Sequence, residues 1–443
     1  MKSYDLSIIG SGPGGYVAAL YASRRGLNVC VIESDLVGGT CLNKGCIPTK
    51  VMLNSASAFS GLKDYAKLGI DVNGYNLNFP KVSLRKNEVV LRLRTGIETL
   101  FRANRITLVK ARARLSGANT IELDNGESIT SKNIIIATGS RPAALPGLGI
   151  NENTIYSSDG ILDIKELPRT MMIIGGGILG VEFASIFNAF GVKVTVVEMA
   201  DRLIPSHSKE ASKKLEMIFK KRGIDVLIST TVDPALVKKI DAENVLVAVG
   251  RKANIEDIGL QNCGLSINNE KISVDIHLCA NGGSIYAIGD CIGGPLLAHK
   301  AFYDAMIAVD NIMGNASNAD YSAIPSCIYT DPEIASVGLT EEQAKEKHPG
   351  VKIAKFPYLA SGKAYIIGKS DGFIKIIGDA NGKLLGAEIL GAGACDMISE
   401  LALALSSGIS IEKISRTTHG HPTLSEIIQE ASHVFMGTPI HSA

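Results

Sequence analysis

The pattern strand, Gly-x-Gly-x-x-Gly, helix, strand, acid occurs twice in this chain, and no other feature restricts its folding as far. In the first copy Leu6-Ser7-Ile8-Ile9 is a short apolar strand, Gly10, Gly12 and Gly15 form the turn, Tyr16 to Arg25 is helical, and Asn28 to Ile32 ends at Glu33. In the second, Met171 to Ile174 is the strand, Gly175, Gly177 and Gly180 the turn, Val181 to Phe190 the helix, and Lys193 to Val197 ends at Glu198. Each acid stands 23 residues after its first glycine. Glycines so placed let backbone approach a pyrophosphate held at a helix N-terminus, while the carboxylate accepts hydrogen bonds from ribose hydroxyls. For a single copy a structural turn is the competing reading, but two copies with equal spacing predict two dinucleotide sites. A carboxylate at Glu198 repels a 2′-phosphate and favours NAD over NADP, with Arg202 nearby as the opposing signal.

Thiol chemistry stands beside the first of these sites. Cys41 and Cys46 lie five positions apart in Gly38-Gly39-Thr40-Cys41-Leu42-Asn43-Lys44-Gly45-Cys46-Ile47-Pro48-Thr49-Lys50. An ideal helix rises roughly 7.5 Å over five residues, whereas bridged cysteines want Cα atoms roughly 4.4–6.8 Å apart. A bridge therefore needs an irregular turn, expected around Gly45, and a bridge closed under strain reduces easily. Two structural thiols that never pair are the competing reading, and the neighbouring motifs decide against it.

At 443 residues the chain is too long for one core, and three or four domains are expected. With 45 basic against 44 acidic residues and no run of like charge, nothing suggests electrostatic capture of nucleic acid or of an anionic membrane. The apolar strand at Leu6 to Ile9 is too short and wrongly flanked for a signal peptide. The apolar segment Met171 to Val181 is interrupted by Gly175, Gly176, Gly177 and Gly180 and does not read as a membrane span. Eight scattered cysteines do not make an extracellular disulfide framework, so a cytoplasmic location is expected, where a paired cysteine is more often catalytic than structural.

Asn133 to Ser140 and Val245 to Arg251 each read as a buried strand running into a glycine turn and closing one nucleotide domain. Ser284 to Asp290 is an apolar strand ending in an aspartate placed to accept hydrogen bonds from a ribityl chain, although Asp290 by itself reads as readily as a turn residue. Asn54 to Ala103 carries spaced apolar positions of inserted helices, and Ile106 to Leu123 reads as strands with turns at Ser116-Gly117 and Asp124-Asn125-Gly126. From Tyr321 onward strand signals at Ile353 to Phe356, Gly372 to Ile377 and Leu384 to Ile389 precede helix-like Asp396 to Ser406 and Leu424 to Phe435. The expected fold class is α/β, with two Rossmann-like dinucleotide-binding domains and a C-terminal α+β domain.

Five segments together resemble the pyridine nucleotide-disulfide oxidoreductases, and the likeness runs from Tyr4 to the last residues. They are Gly10-Ser11-Gly12-Pro13-Gly14-Gly15-Tyr16, the stretch Gly39 to Lys50, the second fingerprint ending at Glu198, Ile288-Gly289-Asp290 with Leu297-Ala298-His299-Lys300, and His419-Gly420-His421-Pro422-Thr423-Leu424-Ser425-Glu426. The resemblance implies an FAD-binding domain at 1–142, an NAD-binding domain at 143–252, a central domain at 253–322 completing the FAD site, and a dimerisation domain at 323–443. FAD would be held by Gly10, Gly12, Gly14, Gly15, Glu33, Ser34, Gly39, Thr40, Lys50, Ala113, Thr138, Gly139, Gly289, Asp290, Leu297 and Ala298. NAD would be held by Gly175, Gly177, Ile178, Leu179, Gly180, Glu182, Glu198, Val249 and Gly250, and no metal is expected.

By the same resemblance Cys41 is the thiol that exchanges with substrate and Cys46 the one facing the isoalloxazine ring, while Lys50 lies near the flavin and pairs with Glu182. His421 is the base and Glu426 fixes its tautomer, the pair being supplied by the other subunit of a homodimer. His419 is the competing assignment, since His419-Gly420-His421 resembles a metal-ligand pair, but no third ligand is evident. The implied activity is oxidation of a dihydrolipoyl group on a carrier domain or protein, in a 2-oxoacid dehydrogenase or glycine-cleavage system, with reduction of NAD+. An NAD(P)H-dependent reductase of another small disulfide and a non-catalytic flavin-binding subunit are the alternatives.

Two places depart from the family. Between Ile228 and Val245, where a longer antiparallel meander is usual, the chain has a short polar connector containing Pro234. At Ala111-Arg112-Ala113 the family often has glycine first, which weakens the expected backbone contact of Ala113 with adenine.

Overall fold

The computed structural model describes residues 2–441, in two compact units: 2–55, 75–167 and 246–319 in one, and 56–74, 168–245 and 320–441 in the other. The first unit is built on a sheet whose strand order is Thr107–Lys110, Val29–Glu33, Lys2–Ile9, Ser128–Ile136, Thr120–Leu123, Ala113–Gly117, with Ile285–Ala287 added along Ser128–Ile136. Its central strands are parallel, and the register sets Ile9 beside both Ile32 and Ile136. Three strands therefore end together, with Glu33 the last residue of its strand and Gly10 and Ala137 the first after theirs. Leu6, Ile8, Ile134 and Ile135 are wholly buried, as a parallel sheet covered on both faces requires. The helix Pro13–Ser23 buries Gly14, Gly15, Ala18, Ala19 and Ala22, and these small residues let it lie close to the sheet and to the helix Ala298–Ile312. Ile97 and Phe101, from the long helix Phe79–Ala103, pack into the same core.

In the second unit Thr170–Ile174, Lys193–Val197 and Asp225–Leu227 form a parallel set, and the helix Ile178–Ala189 that follows Gly177 is buried along most of its length. The polar connector expected between Ile228 and Val245 contains a short helix, Pro234–Ile240. Asp233 caps it by accepting the Leu236 N–H at 2.7 Å, and Pro234 stands in its first turn. Both are ordinary helix-start signals. The C-terminal part carries a five-stranded antiparallel sheet in the order Ser326–Ile328, Ile334–Gly338, Leu384–Leu390, Phe373–Gly378, Lys352–Pro357. The helices Ala394–Ser406, Ile411–Ser415 and Glu426–Phe435 close its core through Ile398, Leu401, Ile411 and Ile428, which meet Phe356, Ile376 and Ile389. No helix among the described residues is long and apolar enough to cross a membrane.

One buried group makes this unit acid-sensitive. His207, just before the helix Lys209–Lys221, is 4% exposed; Ser206 Oγ lies 3.1 Å from its Nδ1, and its Nε2 has no hydrogen-bond partner. Burial pulls its pKa down from 6.5 to about 4. The unfolded chain then binds a proton that the folded chain refuses, so stability is full above pH 6.5 and falls as pH drops from 6.5 towards 4. The expected loss across that window is about 3 kcal/mol. His207→Gln should flatten this part of the curve in urea melts at stepped pH; an unchanged slope would remove His207 as its source.

Candidate active site

The first and third glycines of each fingerprint are required by backbone conformation or by space. Gly10 has φ +101, and a Cβ there would stand 2.4 Å from the Ala137 carbonyl oxygen; a Cβ on Gly15 would stand 2.0 Å from the Gly10 oxygen. In the second copy Gly175 has φ +107, a left-handed backbone that favours glycine, and a Cβ on Gly180 would lie 1.8 Å from the Gly175 oxygen. The middle glycines differ. A Cβ on Gly12 would meet nothing nearer than 3.9 Å and one on Gly177 nothing within 4 Å, so there the missing side chain leaves room for a ligand. Gly12 and Gly177 are also the N-caps of their helices, and neither helix has a side-chain cap. The helices starting at Phe79, Lys209 and Glu341, by contrast, are capped by Asn78, Ser208 and Thr340. Uncapped amides at a helix N-terminus suit a pyrophosphate.

The two acids have a role that sequence reasoning missed. Glu33 Oε2 accepts the Ser11 N–H at 2.8 Å and its hydroxyl at 2.6 Å, while Oε1 accepts the Asp35 N–H at 2.9 Å. Glu198 Oε2 accepts the Gly176 N–H at 2.6 Å and Oε1 the Ala200 N–H at 2.7 Å. Ser11 and Gly176 each follow the first glycine of their motif, so each acid clamps its own loop. A carboxylate offers about four lone pairs, which leaves acceptor capacity for ribose hydroxyls. Ala111 donates its N–H to the Glu33 carbonyl at 3.1 Å, bringing the start of strand Ala113–Gly117 near the same end of the sheet. Ser34 follows Glu33 directly and is exposed.

The cysteine segment is held against the first loop. Gly38 N–H donates to the Ser11 carbonyl at 3.0 Å, and a Cβ on Gly39, where φ is +58, would lie 2.6 Å from the Gly12 Cα. The helix Gly39–Lys44, which carries Thr40 and Cys41, ends where Gly45 interrupts it, and the helix Cys46–Gly61, which carries Lys50, begins at once. The irregular turn expected at Gly45 is thus present, and a Cβ there would crowd the Thr40 oxygen at 3.0 Å and the Cys41 Cα at 3.2 Å. Asn43, unremarked in the sequence, fastens the segment by donating to the Val37 and Gly39 carbonyls at 3.0 and 2.9 Å while accepting from Arg94 at 3.2 Å. The thiols of Cys41 and Cys46 are hydrogen-bonded to one another. That bond, and then burial, raises the Cys41 pKa, while the charge of Lys50 works the other way.

Asp290 accepts the Ser140 hydroxyl at 2.5 Å, and Ser140 Oγ accepts from Arg251 Nε at 2.8 Å; an Arg251 nitrogen also stands 3.7 Å from Asp159. Ser140 and Arg251 were not among the expected site residues, since nothing local in the sequence pairs them with Asp290. The Thr138 hydroxyl donates to the Asn254 carbonyl at 2.6 Å, and Gly139, at φ +68, accepts the Asn254 N–H at 2.9 Å. Gly289 donates its N–H to Asp304 at 2.9 Å, and Asp304 is paired at 2.7 Å with Lys300, both side chains being almost completely buried. Lys300 reaches back to the Gly289 and Gly293 carbonyls at 3.3 and 3.1 Å. The helix carrying this pair starts at Leu297 and Ala298, again without a side-chain cap.

In the second unit Ile178 and Leu179 form the first turn after Gly177, and the wholly buried Glu182 accepts the Tyr329 N–H at 3.0 Å. Val249 and Gly250 fall in the first unit, where the Gly250 carbonyl accepts the Ala143 N–H at 3.0 Å. His421 Nδ1 lies 2.8 Å from Glu426 Oε1, and Glu426 Oε2 accepts the Thr423 N–H at 2.8 Å. Burial opposes ionisation of Glu426, but the His421 and Thr423 hydrogen bonds prevail and hold its pKa below the usual carboxylate value. The outer face of the His421 ring is open, its side chain being 82% exposed. His419, by contrast, has Nε2 at 2.9 Å from Glu400 and Nδ1 at 2.9 Å from the Thr417 carbonyl, so both its nitrogens are occupied.

The family description "Pyridine nucleotide-disulphide oxidoreductase" matches residues 4–305, and its dimerisation domain matches residues 324–432. A dihydrolipoyl dehydrogenase of Bacillus subtilis (strain 168) is 42% identical over 469 aligned residues, covering 99% of each chain. One from Geobacillus stearothermophilus is 40% identical over 98% of this chain and 96% of its own. Among solved structures, the Cu(II) complex of an HOCl-induced flavoprotein disulfide reductase from Escherichia coli superposes with a TM-score of 0.87 at 27% identity, over 98% of this chain and all of the other.

Proposed function

Since the chain belongs to the pyridine nucleotide-disulphide oxidoreductase family, we propose that it oxidises dihydrolipoyl groups on a carrier protein, reduces NAD+ and works as a homodimer. The observation that carries this reading is the hydrogen-bonded Cys41–Cys46 pair packed against the loop of a dinucleotide-binding helix. The residues present fit FAD at that loop. The helix N-terminus after Gly12 is uncapped, Gly12 leaves an open cradle, and Glu33 and Asp290 keep acceptor capacity for ribose and ribityl hydroxyls. Gly177 and Glu198 fit NAD in the same way. When bound, the flavin supplies a two-electron acceptor between the cysteine pair and the nicotinamide.

The chain's own residues perform the sulfur steps. With Cys41 and Cys46 bridged, His421 of a second copy takes a proton from the dihydrolipoyl thiol, and Glu426 supports the imidazolium. The thiolate attacks the Cys41 sulfur and Cys46 leaves as a thiolate. The second lipoyl thiol then displaces Cys41 and closes the lipoyl disulfide. Lys50 sets a positive charge near the pair. The near-full-length dihydrolipoyl dehydrogenase relatives support this choice of substrate.

The test is turnover of dihydrolipoamide by the purified holoenzyme with NAD+ and with NADP+. NAD+ should be preferred at least tenfold, because Glu198 repels a 2′-phosphate. His421→Gln should lower kcat/KM for dihydrolipoamide by about 10²- to 10⁴-fold while NADH oxidation by ferricyanide, which needs no thiol deprotonation, is retained. NADH-driven reduction of some other disulfide with no dihydrolipoamide turnover would overturn the proposal.

A further inference from the structure

A second cysteine pair lies in the C-terminal sheet domain, with no part in the chemistry above. Cys327 stands on the edge strand Ser326–Ile328, and Cys395 lies in the first turn of the helix Ala394–Ser406. Their contacts are reciprocal. Cys327 Sγ is 3.8 Å from the Cys395 carbonyl oxygen, and Cys395 Sγ is 3.7 Å from the carbonyl oxygen of Ile328, the residue next to Cys327. The two thiols are also hydrogen-bonded to each other, the arrangement already seen for Cys41 and Cys46. Both backbones are anchored: Cys327 is in register with Ala335 on the neighbouring strand, and the Cys395 N–H donates to Glu333 at 3.0 Å. Cys395 is buried and Cys327 partly open to solvent. Each sulfur thus lies within 4 Å of backbone at or next to the other cysteine, the neighbourhood a disulfide of about 2.05 Å requires.

We infer that Cys327 and Cys395 form a second, reversible dithiol–disulfide couple, which small disulfides oxidise and which pins the start of the helix Ala394–Ser406 to the sheet edge. Cys327, as a thiolate, attacks one sulfur of the oxidant, giving a mixed disulfide and releasing one thiol. Cys395 then gives up its proton to solvent, and its sulfur displaces the second thiol as the Cys327–Cys395 bond closes. Two electrons and two protons leave the pair, and the oxidant is reduced to two thiols. Cys327 is the attacking sulfur because it is partly open to solvent while Cys395 is buried, and the hydrogen bond to Cys327 and burial raise the Cys395 pKa.

The experiment treats holoenzyme with bis(2-hydroxyethyl) disulfide, alkylates in denaturant and maps the non-reduced peptides. The chain has eight cysteines, so closure of both pairs leaves four alkylatable thiols and closure of Cys41–Cys46 alone leaves six. The expected result is four, with a peptide joining Cys327 to Cys395 that dithiothreitol separates, and a Tm above that of the reduced protein. Cys395→Ala, which keeps seven cysteines, should leave five or four thiols, the latter if Cys327 keeps the oxidant as a mixed disulfide, and should show no Cys327–Cys395 peptide and no Tm shift; Cys327→Ser serves if that variant does not fold. Alkylation of both Cys327 and Cys395 in protein whose Cys41–Cys46 bridge is closed would overturn the inference. So would a stable mixed disulfide on Cys327 with Cys395 intact.

Discussion

Cys46→Ser should reduce NAD+-dependent oxidation of dihydrolipoamide by roughly 10³-fold or more while leaving the protein folded and loaded with flavin. The serine hydroxyl is close in size to the thiol and sits where the helix Cys46–Gly61 begins, so the backbone break at Gly45 and the contact of Gly39 with Gly12 are undisturbed. What is lost is the second sulfur. Without it Cys41 cannot be presented to substrate as a disulfide, and the incoming lipoyl thiolate has no sulfur–sulfur bond to cleave. Oxidation of NADH by ferricyanide bypasses the cysteines and should stay within a few-fold of the parent rate. That pair of readouts separates chemistry from folding. Full dihydrolipoamide turnover by the serine variant would sink the assigned role of the Cys41–Cys46 pair.

Asp304→Ala should destabilise the first unit by about 3–5 kcal/mol, because it strands the Lys300 ammonium inside the protein. Lys300 and Asp304 are 1% and 0% exposed and 2.7 Å apart, and Asp304 also receives the Gly289 N–H. The substitution therefore removes the countercharge and orphans a buried amide beside Asp290. Loss of flavin on gel filtration should accompany a fall in Tm of roughly 6–20 °C. Replacing both partners, Lys300→Met with Asp304→Leu, should recover much of the lost stability, since a buried ion pair exchanged for apolar side chains is often neutral. The Gly289 amide would still lack its acceptor, so flavin retention should recover less than Tm. A single Asp304→Ala variant melting within about 1 kcal/mol of the parent would show that the pair does not hold this corner of the site.

Much of the site is legible in residue order because its parts are local. Gly10 and Gly15, Gly175 and Gly180, the break at Gly45 and the reach from His421 to Glu426 each depend on backbone within a few residues, and each has the geometry that its spacing implies. The helix Pro234–Ile240 is signalled locally as well, by Asp233 and Pro234, but so short a segment shows little hydrophobic periodicity and by sequence reads as a connector. Ser140 and Arg251 escaped notice for a different reason. They are separated by 111 residues and meet only because the strands Ser140–Pro142 and Arg251–Ala253 pair in antiparallel fashion.

Residue order by itself determined the two glycine turns, the acids that follow them, the proximity of Cys41 to Cys46 and the family to which the chain belongs, since each is a short-range pattern of sterics and charge. Only the tertiary structure decided what those groups touch. Glu33 and Glu198 fold back onto Ser11 and Gly176, Asp290 is held by Ser140, Gly289 by a buried Lys300–Asp304 pair, and Cys327 meets Cys395 across a strand and a helix. The physical reason is that hydrogen bonds and thiol contacts between distant residues take their geometry from strand register and helix packing, which no local window of sequence contains.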